Sequence, residues 1–297
     1  MRAIRLLLAV TVLAVSACTN LQQLEEPLAS FSEGVTRTEQ AHMAVLRKAN
    51  ELSRLRAMES GMLHYVSGRN FSLDGKPAPA PKAALDARQA AFDTLSAYAQ
   101  ALVTLASDEP NKALDTNTKD LAGKIVAIMP DSGQVTAPLA AAFNAMGQAL
   151  LDFQRAKKIE EEAARNHPSI MVIAEFIKKD LASAQDNMEG ALLTITTTRE
   201  KQLDALRCPA DKARAQSAAC RAPLDPKELM MSWRETMEME RQTTGPSQIP
   251  AVMSAVNAMV KAHAAIAAGN KASLSVAVKD LVRRARHAQQ FYASLPR

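Results

Sequence analysis

Aromatic residues are scarce in this chain, 4% of its 297 residues, and glycine occurs only 10 times. Sheets draw on aromatic and β-branched side chains, and their tight turns draw on glycine. The composition therefore argues against an all-β fold. Glycine-rich phosphate loops are missing: neither GxxxxGK[ST] nor GxGxxG occurs, which removes the common nucleotide-binding loops. The GxSxG elbow of many serine hydrolases is missing as well. The five histidines, His42, His64, His167, His263 and His287, never fall at HxxxH spacing, so a zinc site on one helix has no support and no metal is expected. His42 lies on an apolar stripe, where a half-buried histidine satisfied by a neighbour is expected rather than a catalyst. The three adjacent carboxylates Glu160, Glu161 and Glu162 point around a helix and are expected to be solvated, not held apart as acid–base catalysis requires. No catalytic residue and no cofactor is assigned.

A second long apolar segment is also missing; the first lies at the N-terminus. Arg2 and Arg5 precede an apolar run from Leu6 to Val15, interrupted only by Thr11. A membrane span needs about 20 apolar residues, so the run is too short to cross. A basic start, a short apolar core and small residues before a cleavage point describe a secretory signal peptide. Val15-Ser16-Ala17-Cys18 resembles the lipobox of bacterial lipoproteins. The resemblance covers residues 1–18 and implies cleavage before Cys18 and acylation of its thiol and new amine. Several acyl chains make a stable anchor, since each buried CH₂ contributes about 0.8 kcal/mol. The same resemblance, with Thr19 rather than Asp after the cysteine, implies the outer membrane of a Gram-negative cell, facing the periplasm.

Cysteine is rare. Besides Cys18 only Cys208 and Cys220 occur, an even pair in an oxidising compartment. A bridge between them is expected, worth about 3 kcal/mol in the chain-entropy model. Negative charge is scarce in one region. From Pro246 to Arg297 there are seven basic residues and one acid, Asp280. Such a tail could face anionic lipid, peptidoglycan carboxylates or an acidic protein, or could be a solvated helix face. Nucleic acid is not an expected partner for an exported chain.

What is abundant is helical periodicity. Residues 1–17 are assigned to the signal peptide, 18–34 to a polar lipidated tether containing Pro27 and Gly34, and 35–297 to a helical domain, with a possible subdivision near 208–226. Val35, His42, Leu46, Ala49, Leu52, Leu55, Met62 and Val66 recur at three- and four-residue steps. Leu85, Phe92, Leu95, Ala99, Leu102 and Ala106 do the same over about 82–107. Helices are also expected over 111–129 and 134–166. His167-Pro168 is expected to break the pattern, because the residue before proline avoids helical angles. A long helix then runs from Ile170 to Leu206 on the stripe Ile170, Ile173, Ile177, Leu181, Ala184, Met188, Ala191, Ile195. Gly190 and the β-branched run Thr194–Thr198 predict a bend or mobility within it. After a helix over 227–244, Ser247 to Ala268 and Lys271 to Ser294 form an αα-hairpin around Gly269-Asn270. The expected fold is all-α, a bundle of about seven helices, several of them long.

Two features invite a function. Met230, Trp233 and Met237 share a helical face, where flexible thioethers fill a core or form an adaptable binding surface. Soft thioethers also ligate copper, but the dense Met/His repeat of copper tracts is absent. The last helix carries Lys279, Arg283, Arg284 and Arg286, followed by Phe291 and Tyr292. That pattern resembles an interfacial membrane contact, although Leu274, Val278, Leu281 and Val282 suit docking in a bundle. The expected function is a non-enzymatic, membrane-anchored module contacting an envelope protein or peptidoglycan. The alternative is a helical carrier of an apolar ligand or metal, and an unrecognised enzyme comes third.

Overall fold

The computed structural model describes residues 2–66, 82–106, 159–206, 230–231, 233–235, 237–238 and 249–293. The chain is all-α: among the described residues there is no strand. Its helices are α1 (Arg2–Val66), α2 (Lys82–Ala106), α3 (Ile159–Leu206), α4 (Ile249–Ala267) and α5 (Lys271–Ala293). A further helical piece covers described residues between 230 and 238. The helix expected over 111–129, and residues 134–158 of the one expected over 134–166, lie outside the described residues.

Two compact units are present. The first comprises Met1–Met43, Lys82–Asp180 and Pro250–Ser294; the second comprises Ala44–Pro81, Leu181–Ile249 and Leu295–Arg297. Both α1 and α3 supply residues to each.

The core of the first unit is built from one stripe of each helix. Leu28, Phe31 and Val35 come from α1, and Phe92, Leu95, Tyr98 and Leu102 from α2. Ile170, Ile173 and Ile177 come from α3, Val252, Val256 and Met259 from α4, and Leu274, Val278 and Leu281 from α5. Full burial of each such aliphatic side chain contributes about 1.5–3 kcal/mol. By length and composition alone α4 could cross a membrane. Its buried side chains instead make it a core helix of this unit.

The hairpin between α4 and α5 forms as its residues dictate. Gly269 adopts φ 64°, a left-handed geometry that glycine enters without a Cβ penalty. Its N–H donates to the Ile266 carbonyl at 3.0 Å. Asn270 then caps α5: its side-chain oxygen accepts the Ser273 N–H at 3.2 Å.

In the second unit, Val45, Leu46, Ala49 and Leu52 of α1 are buried, as are Leu181, Ala184, Met188, Ala191, Leu192 and Ile195 of α3. Arg199 donates to Glu59 at 2.7 Å in this unit.

Two expectations change. First, the tether does not extend to residue 34. Leu28 and Phe31 are core residues of a continuous helix, and Pro27 is accommodated inside it. Gly34 is where another helix comes close: a Cβ there would lie 2.5 Å from Cγ of Leu281. Second, Pro168 does not end a helix but sits inside α3. Its missing N–H frees the carbonyl of Ala164. Both residues are exposed, so water can satisfy that carbonyl at little cost. The helix expected from Ile170 onward is continuous through Gly190 and the threonines. Thr194, Thr196 and Thr197 each donate to the carbonyl four residues back, at 2.8, 3.0 and 2.8 Å, so their hydroxyls are satisfied within the helix, in a pattern that favours a gentle bend.

Candidate functional site

Among the described residues, three clusters of polar and charged side chains in the first unit stand out. The first is a buried triad. Asp180 of α3 accepts from Arg88 of α2 through two hydrogen bonds, one of 2.6 Å from Nε and one from Nη2. It also pairs with Nε2 of His42 on α1 at 3.0 Å. Burial pushes the Asp180 carboxyl up, but the hydrogen bonds from Arg88 and His42 outweigh it and hold the group below its ordinary 3.8. The guanidinium also lies 5.8 Å from the centroid of the Phe176 ring. His42 is fully buried rather than half-buried, with its ring 5.2 Å from that of Phe92. A buried carboxylate that takes a forked arginine and an imidazole has little capacity left for a substrate.

The second cluster joins α2, α3 and α4. Tyr98 meets Nε2 of His263 at 2.9 Å, and Nδ1 of His263 meets Nδ1 of His167 at 3.1 Å. All bonds are satisfied when the Tyr98 hydroxyl donates to Nε2 of a neutral His263, whose Nδ1–H donates to His167. Burial, aided by His167, lowers His263 from 6.5 to about 3. Burial, with the Glu162 charge adding to it, raises Tyr98 above its usual range. Phe31 closes one side, its ring 6.0 Å from that of His263. Glu162 was expected to be solvated with its neighbours, yet it is 6% exposed and pairs with Arg165 at 2.8 Å. The helical period places it on the buried face with Ile159, Ala163 and Asn166. Sequence spacing could not reveal this cluster, because His167 and His263 are 96 positions apart.

The third cluster is the exposed face of α5 with its neighbour α1. Glu33 of α1 accepts from Arg37 at 2.7 Å and from Arg286 at 3.2 Å. These bonds, that of Arg37 first, lower its carboxyl below 4.5. Asp280 accepts from Arg284 at 2.7 Å and from Arg283, which lowers it below 3.8. Arg284 also donates to Ser254 of α4. Ser30 and Glu33 of α1, with Lys279, Arg283, Arg286 and His287 of α5, line an open groove of about 560 Å³. The three arginines expected from the sequence thus sit together. Arg283 and Arg286 face the groove, while Arg284 turns toward α4.

The methionine face behaves differently from a core. Met230 and Met237 are 72% and 65% exposed, and Trp233 is half-buried. Such exposure does not suit the filling of a core. Cys18 lies on α1, while Cys208 and Cys220 lie outside the described residues. Among the described residues no group of three or more His, Cys, Asp or Glu side chains could hold a metal ion.

The fold and these clusters define an all-α bundle with buried polar pairs between its helices and a cationic groove on its surface. No family model matches the chain, and neither a curated protein nor a solved structure matches it.

Proposed function

We propose that this chain is an exported bacterial lipoprotein, held by acyl chains on Cys18, whose helical bundle acts by contacting another component of the cell envelope. The observation that supports a contact role is the cationic face of α5. Arg283 and Arg286 are held on the surface by Asp280 and Glu33, whereas the buried titratable groups engage one another. Met230, Trp233 and Met237 supply a second surface of the adaptable kind seen in protein recognition. Thr19 after the cysteine favours the outer membrane, and the exported location favours a Cys208–Cys220 bridge.

The anchor would hold the bundle close. Only ten positions separate Cys18 from the core residue Leu28, about 15 Å if they stay helical. Fractionation tests the anchor: Cys18→Ser should move the protein out of the membrane fraction, and a variant that stays fully membrane-bound would sink this reading. Crosslinking in intact cells tests the contact. A specific adduct lost in the Arg283→Ala/Arg286→Ala variant is expected; an unchanged adduct pattern counts against the α5 face. Alkylation before and after reduction tests the bridge, with labelling of Cys208 and Cys220 expected only after reduction.

A further inference from the structure

We infer that the groove between α1 and α5 is a binding site for a phosphate monoester. The lining places three cations, Lys279, Arg283 and Arg286, against one carboxylate, Glu33. Three positive charges less one leave a net of two in the lining, and Arg284 and Asp280 beside it offset each other. A phosphate monoester carries about −1.5 to −2 at neutral pH, which matches that surplus. A single carboxylate would leave it half compensated. Arginine forks and a lysine point charge suit phosphate oxygens.

The donors are available. Arg283 spends one N–H on Asp280 and Arg286 one on Glu33, and a guanidinium has five. Their two carboxylate partners fix the direction of the forks without using them up. Lys279 is exposed on the same face, one turn before Arg283. Ser30 adds a hydroxyl from α1.

Two simpler explanations of this charge fit poorly. Cations often compensate the negative end of a helix, but that effect falls off within the last turn. Arg286 stands seven residues before the end of α5 at Ala293, about two turns away, and Lys279 is farther still. A solvated helix face usually interleaves both signs, yet α5 has five basic residues and one acid.

The inference sharpens the proposed contact role of α5 but is independent of the anchor at Cys18. Phosphate monoesters occur on lipid headgroups and on free small molecules, and one experiment separates the two. Full-length protein in a non-ionic detergent is titrated calorimetrically with glycerol 3-phosphate, with glycerol and acetate as comparisons. Saturable binding of glycerol 3-phosphate alone is expected. The Lys279→Ala/Arg283→Ala/Arg286→Ala variant should weaken it at least about tenfold, because charge-assisted hydrogen bonds are lost. The charge-matched Lys82→Ala/Lys179→Ala/Lys201→Ala variant should bind as the parent does. All six positions are exposed, and circular dichroism checks that both variants fold. No saturable binding, or equal loss in the two variants, would overturn the site. Micelles doped with phosphatidic acid then compete. Displacement of glycerol 3-phosphate supports a lipid headgroup as the ligand, and undiminished binding supports a soluble phosphate ester. Cys18→Ser fractionation reads the anchor separately, so either idea can fail without the other.

Discussion

His167 and His263 lie face to face, their ring centroids 5.3 Å apart and their planes 7° from parallel. Two imidazoles in this arrangement cannot both be charged without strong repulsion. The hydrogen bond between their Nδ1 atoms needs at least one lone pair.

That relationship fixes a pH dependence. His263 is neutral when folded, lowered to about 3, whereas in the unfolded chain it protonates near 6.5. Below 6.5 the unfolded state binds the extra proton, so stability falls with falling pH until about 3. The slope for one such group approaches about 1.4 kcal/mol per pH unit. Urea unfolding at pH 7, 5.5 and 4.5 should show the parent losing stability faster than His263→Leu does. Parallel losses would mean that His263 is not the group responsible.

The Arg88–Asp180 pair should be costly to break from one side. Asp180→Ala removes the carboxylate that takes the fork of a buried guanidinium, with an expected loss of about 3–5 kcal/mol. The double variant Arg88→Leu/Asp180→Leu should lose markedly less than the sum of Arg88→Leu and Asp180→Leu. Denaturant midpoints of the four proteins complete the cycle, and simple additivity would argue against the pairing.

Two glycines predict opposite signs. At Gly190 nothing lies within 4 Å of an added Cβ, so Gly190→Ala should stabilise by about 0.5–1 kcal/mol through helix propensity. At Gly34 the added methyl meets buried Leu281. Gly34→Ala should therefore destabilise by about 1–3 kcal/mol from overpacking. Thermal melts of the two variants should move in opposite directions.

The methionine face gives a test of surface against core. Met230→Glu and Met237→Glu should change stability by less than about 0.5 kcal/mol, as exposed substitutions do. Met188→Glu, at a position 2% exposed, should unfold the protein or cost several-fold more, because it buries a charge without a partner.

Periodicity proved informative wherever a helix has one buried stripe. All eight apolar positions expected on α3, from Ile170 to Ile195, are buried, and the Gly269-Asn270 turn sits where the glycine predicts it. Single residues misled where their usual effect was compensated locally. Pro168 read as a break and Pro27 as part of a tether, yet each is accommodated within its helix. Gly34 read as part of the tether, yet its missing side chain makes room for Leu281. The cationic half of the groove was legible as Lys279, Arg283 and Arg286. Its acidic member, Glu33, was not, because it comes from a helix 253 positions earlier than Arg286. The buried clusters were hidden for the same reason: their members meet only after helices pack.

The triad of His42, Arg88 and Asp180 also constrains how this protein can drift through evolution. No member can change alone without stranding a desolvated partner, so substitutions must arrive together or not at all. Surface positions face no such barrier and can diverge freely. A remote cousin whose sequence has otherwise become unrecognisable should still carry a histidine, an arginine and an aspartate on three long helices, at places that bring them together.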